Sequence, residues 1–192
     1  MTQIVSSDAL IVTDIQRDFC PGGALAVAGG DEIVPMVNAL VGKFRHVFYT
    51  RDWHPADHCS FADGPEFQDG SWPAHCVRDT PGAAFHPELA VAADAEIVSK
   101  ATDSGREAYS SFQGTDLVHR LRARGVNRVF LCGIATDYCV KASALDAVSY
   151  GFEVMVVEDA CRGVDVPTGS AAAAMEAMRE AGAALCRAGD LV

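Results

Sequence analysis

The stretch Arg128–Cys139 reads RVFLCGIATDYC: an apolar run of strand character, a glycine, then a polar segment that opens a helical pattern. The pattern runs from about Asp137 to Tyr150 and closes at Gly151. A strand that feeds a helix through a short turn is the building unit of a parallel α/β sheet. Working outward, the same alternation repeats. Upstream lie a helix over about Gly114–Arg124 with Gly125 as its stop, and strands at Glu96–Lys100 (EIVSK) and His46–Thr50 (HVFYT). Before them come a helix over Asp31–Phe44 and a first strand at Ala9–Asp14 (ALIVTD). Downstream, Phe152–Val157 (FEVMVV) is a strand, Thr168 caps a helix carrying Met175 and Met178, and Ala183–Cys186 is the last strand. The expected fold is a three-layer α/β/α domain with a six-stranded, mostly parallel sheet of Rossmann-like topology. Residues 1–192 form one domain in this reading, with a loop insertion at about 51–94.

The chain's 192 residues are enough for one hydrophobic core, and 49% apolar with 21% charged residues is ordinary globular usage. The net charge of −11 disfavours nucleic acid and anionic membranes as partners, because close approach meets repulsion. No bilayer-length apolar run and no secretory pattern is present, so a cytoplasmic address is expected. The seven cysteines show no CxxC pair, which argues against a disulfide framework or a thiolate zinc knuckle. Most should be small buried hydrophobes; one can be a nucleophile.

In sheets of this kind, ligands sit beyond the carboxyl ends of the strands. Asp14, Asp52, Lys100 and the segment 133–139 all fall at such ends. Cys139 lies in the first turn of a helix, where the dipole favours thiolate and free backbone N–H groups can hold an oxyanion. Thr136 or Asp137 can cap that helix. Asp14 can act as general base and Lys100 can stabilise the charged pair. Taken singly, these are a buried helical cysteine, a turn aspartate and an edge lysine. Together they are chemically complementary at the ends of three strands.

Asp14, Lys100 and Cys139, set in DIQRDF, SKAT and GIATDYCV, resemble the Asp-Lys-Cys triad of the isochorismatase-like cysteine hydrolases. The resemblance extends over nearly the whole chain. It implies a cis peptide between Ile134 and Ala135 and an oxyanion hole made by the Ala135 and Cys139 amides.

Four of the six histidines, 54, 58, 75 and 86, fall in the 51–94 loop, which favours a metal site over scattered exposed imidazoles. Asp52 and His54 are two apart after a strand and can face one way, and the SWPAHC segment offers His75. One carboxylate and two imidazoles suit a divalent ion, Zn²⁺ first, with Fe²⁺ or Mn²⁺ also compatible. RDWHPADHCSF and GSWPAHCV resemble the nicotinamidase branch of the family. There Asp52, His54 and His75 would be ligands, the metal would hold a pyridine nitrogen, and Phe19, Trp72, Tyr109 and Ile134 would line the ring pocket. His58 is left open between ligand and supporting group. Tyr138 departs from relatives that carry histidine just before the nucleophile, which leaves the fine substrate preference open.

The expected activity is hydrolysis of nicotinamide, and of pyrazinamide, to acid and ammonia through a Cys139 thioester, a step of NAD salvage in that branch. The rivals are an amidase of the same superfamily acting on a carbamoyl or ureido substrate, and a non-enzymatic metal-binding domain. The expected partner is a small carboxamide, with homo-oligomerisation left open.

Overall fold

The computed structural model describes residues 1–192. Its strands are β1 (Asp8–Thr13), β2 (His46–Asp52), β3 (Glu96–Lys100), β4 (Arg128–Ile134), β5 (Glu153–Arg162) and β6 (Ala184–Cys186). They form one six-stranded sheet in the order β3-β2-β1-β4-β5-β6, and every pairing is parallel. The helices are α1 (Val34–Val41), α2 (Leu117–Ala123), α3 (Lys141–Ser149) and α4 (Ser170–Glu180). No helix is long and apolar enough to cross a membrane.

The central strands explain their own sequences. β1 is buried along its whole length, and so is β4 beyond Arg128, because helices cover both faces. Such strands read as continuous apolar runs rather than alternations. Strand order reverses between β1 and β4, the switch point at whose carboxyl edge sheets of this kind bind ligands. β1 delivers Asp14 to it, and β4 delivers the segment that ends in Cys139.

Gly133 makes the approach of these two strands workable. Its φ is +119°, and a Cβ on it would lie 2.1 Å from the Thr13 carbonyl oxygen. Both the backbone conformation and the space require glycine. Gly133→Ala is expected to destabilise the fold by about 3 kcal/mol, read as a lower urea midpoint at unchanged slope. A midpoint within error of the parent would contradict this account.

The structure corrects several expected boundaries. The helix expected from Asp137 begins as a π-helical turn, Thr136–Val140, which continues into α3. Ala135 occupies the position before that turn, and no side chain caps it. Neither Thr136 nor Asp137 acts as its cap; the Asp137 carboxylate is bonded to a different segment. Thr168 does not cap α4 either. Gly169, at φ +93°, precedes that helix, and the Asp165 carboxylate accepts from the Gly169 and Ala171 amides. The cis peptide between Ile134 and Ala135 is present.

Residues 53–95 connect β2 to β3 with little regular structure beyond a single 3-10 turn, Pro81–Ala83. The excursion leaves the carboxyl edge after Asp52 and returns on the amino edge at Glu96, the ladder partner of Phe48; β3 then runs parallel to β2 and brings Lys100 level with Asp52.

Candidate active site

Four parallel strands end around one buried ammonium. Lys100 Nζ lies 3.0 Å from Asp14 Oδ2, 2.5 Å from Asp52 Oδ1 and 3.4 Å from Cys139 Sγ. It also donates to the Ala108 carbonyl at 3.2 Å. Lys100 sits on an edge strand yet is only 1% exposed. Burial alone would drive off its proton, but Asp14, Asp52 and Cys139 outweigh that and hold its pKa well above the ordinary lysine value.

Asp14 lies just past β1 with φ +48° and is fully buried. One oxygen accepts from the Thr50 hydroxyl at 2.6 Å; the other faces Lys100 without a well-directed hydrogen bond. Burial raises its pKa, against the pull of Lys100, and so makes it a better proton acceptor. Burial also pushes the Cys139 thiol well up, partly opposed by Lys100. The resting cysteine is therefore a thiol beside a base rather than a standing thiolate.

Asp52, His54 and His75 are buried, and one donor atom of each lies within 4.8 Å of the others. His54 Nδ1 donates to the His75 carbonyl at 3.0 Å, and His75 Nδ1 donates to the Pro73 carbonyl at 2.7 Å. A carbonyl only accepts, so both rings carry the proton on Nδ1 and keep a free lone pair on Nε2. Burial lowers His54 to about 4 and also lowers His75, so both rings are neutral near pH 7. Burial would raise Asp52, yet Lys100, His54 and His75 together bring it below the usual carboxylate value. A deprotonated carboxylate and two neutral imidazoles fit a divalent cation.

His58 is buried beside His54, with ring centroids 4.4 Å apart. Its Nε2 faces the Arg106 carbonyl at 3.1 Å and its Nδ1 faces the Ser60 hydroxyl at 2.7 Å. Both nitrogens are engaged, which braces the 104–108 segment. Glu107 also brings a carboxylate oxygen within 4.8 Å of donor atoms of His54 and His58.

Of the expected ring-pocket residues, Trp72 and Tyr109 come together, with Trp72 Nε1 donating to the Tyr109 hydroxyl at 2.8 Å. Tyr138 packs edge-on against Trp72, centroids 5.1 Å apart, and lies 5.5 Å from Tyr109. Phe19 packs against His75 at 5.4 Å, which places it beside the donor set. Ile134 is fully buried at the end of β4.

Three contributors lay outside the expected set. Thr50 orients Asp14. Gln16 ties the ends of β1 and β2 by accepting from the Asp52 amide at 2.7 Å and donating to the Asp52 carbonyl at 2.8 Å. Asp18 accepts from the Cys76 amide at 2.7 Å, next to His75. Gln16 and Asp18 both lie in the DIQRDF stretch, whose run of polar residues after Asp14 was the available signal.

A parallel sheet with cysteine, lysine and aspartate converging at its carboxyl edge defines an α/β protein of hydrolase-like architecture. The chain belongs to the isochorismatase family: the isochorismatase domain model matches residues 8–190. It is 41% identical to a nicotinamidase from Escherichia coli, covering 95% of each chain. Among solved structures, it is 48% identical to a pyrazinamidase of Pyrococcus horikoshii in complex with zinc (TM-score 0.86), covering 94% of this chain and 99% of that one. A protein from L. infantum in complex with nicotinate is 35% identical (TM-score 0.90), covering 100% of this chain and 98% of that one.

Proposed function

We propose that the chain is a single hydrolase domain that converts nicotinamide to nicotinate and ammonia, and pyrazinamide likewise. The observation that carries this reading is the position of Lys100 Nζ, in contact with Cys139, Asp14 and Asp52 at once. The nucleophile and the Asp52, His54, His75 donor set are thereby joined through one ammonium. A flat ring bearing a carboxamide can reach both. The relatives that are nicotinamidases and pyrazinamidases, and the relative solved with nicotinate, support the same substrate class.

In this mechanism Asp14 takes the Cys139 proton while Lys100 stabilises the resulting thiolate. The sulfur attacks the carboxamide carbon, and the Ala135 and Cys139 amides hold the oxyanion. Asp14 returns the proton to the departing nitrogen, the C–N bond breaks, and ammonia leaves a nicotinoyl thioester on Cys139. Asp14 then takes a proton from water, whose oxygen attacks the thioester. The C–S bond breaks, nicotinate departs and the thiol is restored. Phe19, Trp72, Tyr109 and Ile134 form the walls for the ring. Asp52, His54 and His75 would hold a divalent ion, Zn²⁺ before Fe²⁺ or Mn²⁺, which would supply a Lewis-acidic position for the ring nitrogen. A reactive cysteine among seven free thiols suits a reducing compartment, and the cytoplasm is the address we assign.

The test is ammonia release from nicotinamide before and after chelation, with bound metal measured in parallel. Chelation is expected to lower kcat/KM by at least about 100-fold and readdition to restore it. His54→Ala should bind almost no metal and show the same loss. Turnover of nicotinamide that survives both treatments would remove the metal set from the mechanism. It would favour an amidase of the same family acting on carbamoyl or ureido substrates.

A further inference from the structure

Asp137 is buried, 3% exposed, in the turn that carries the nucleophile. Its carboxylate bonds to nothing in its own helix. Oδ1 accepts from the Val164 amide at 2.9 Å, and Oδ2 accepts from the Asp165 amide at 2.9 Å and the Ser170 hydroxyl at 2.6 Å. A buried carboxylate held by three donors and no cation is costly unless all three are in place. The segment it grips is itself fixed, because Asp165 accepts from the Gly169 and Ala171 amides at the start of α4. Space there is tight: a Cβ on Gly163 would lie 3.1 Å from Asp137 Oδ1 and 2.6 Å from the Ala171 Cβ.

Residues two apart on a helical turn leave it on different sides. Cys139 Sγ faces Lys100, while Asp137 grips the segment between β5 and α4. We propose that Asp137 is a positioning residue for the hydrolysis: by anchoring the Thr136–Val140 turn to residues 164–170, it fixes the nucleophile and the neighbouring amides against the substrate carbonyl. It touches no reacting atom. Its influence is on geometry at the transition state, where a shift of about 1 Å is worth about 10²-fold in rate.

The inference rests on the reading of Cys139 as the nucleophile of nicotinamide hydrolysis, so wild-type turnover is measured first. Asp137→Asn keeps the shape but turns an NH₂ group toward a backbone N–H. It is expected to lower kcat by about 10- to 100-fold, with KM within about threefold of wild type and bound metal unchanged. Rates are expressed per folded protein, with the folded fraction read from circular dichroism. Ser170→Ala, which removes one of the three donors, should lower kcat by about threefold. In the Asp137→Asn background it should have no further effect. A kcat per folded protein for Asp137→Asn within threefold of wild type would overturn the inference, as would additive effects of the two substitutions. If Asp137→Asn does not fold, Ser170→Ala decides alone: a kcat fall at unchanged KM supports the clamp, and an unchanged kcat overturns it. A wild-type protein that releases no ammonia from nicotinamide would overturn the functional reading and this inference with it.

Discussion

Replacement of Cys139 by alanine is expected to reduce ammonia release from nicotinamide by about 10⁴-fold or more, to background, with little loss of stability. The thiol is buried beside Asp14 and the Lys100 ammonium, and Lys100 keeps both carboxylate partners when sulfur is removed. Folding and metal content should therefore persist while the covalent step disappears. In the parent, acid quenching during turnover should leave a nicotinoyl group on the peptide that contains Cys139, detected by mass spectrometry. Any adduct on a different cysteine, or equal ammonia release by the alanine variant, would defeat the assignment. Cys76 and Cys132 are useful internal controls: burial raises both thiols as it raises Cys139, but neither has the Lys100 hydrogen bond that Cys139 has.

Lys100→Met is expected to damage both activity and fold. The substitution preserves much of the side-chain volume but strands two buried carboxylates that share the ammonium. Breaking a buried charge set in this way typically costs about 3–5 kcal/mol. Activity should fall by at least about 10²-fold, since the thiolate loses its counter-charge. The instability should also depend on pH. Burial already raises Asp14, and Lys100 is what pulls it down, so without Lys100 the native-state value rises further. A carboxyl group with a raised native pKa makes the native state bind more protons than the unfolded chain. Stability then falls as pH rises from the ordinary carboxylate range through the raised native value. Urea unfolding should show a smaller deficit for the variant at about pH 5 than at about pH 8. A deficit that grows on acidification would show that the carboxylates are not the cause.

The strand–turn–helix signal in RVFLCGIATDYC, repeated along the chain, was enough to read a mostly parallel sheet; singling out Cys139 among seven thiols also needed Asp14, Lys100 and the family resemblance. Apolar strands between helices have few alternative arrangements, and the carboxyl edge follows from parallelism. The burial of Lys100 was not legible from spacing alone. A lysine ending an edge strand normally reaches solvent, and here the neighbouring β2 ladder and the 104–108 segment close over it. The role of Asp137 was hidden for a related reason. Its position suggested a local cap, whereas its partners lie 27 to 33 residues later in the chain. Gln16 and Thr50 act by pairing across strands, which a linear reading does not display. His58 depends on which atoms its two ring nitrogens meet, and this is settled by loop conformation rather than composition.

The ladder pairing of Asp52 with Lys100 has a wider consequence. Residues 53–95 leave the sheet at its carboxyl edge and rejoin it at the amino edge, and the parallel pairing of β3 with β2, rather than the path of the excursion, sets Lys100 level with Asp52. In the proposed mechanism the bond-breaking groups stand at the strand ends, whereas the ring-selecting set is divided: His54, Trp72 and His75 lie on the excursion, and Asp52, Phe19, Tyr109 and Ile134 lie outside it. Exchange of the excursion alone therefore redraws only part of the ring-selecting set, while the ladder keeps the reacting groups together; a descendant with a new substrate inherits the rest of its specificity from the scaffold.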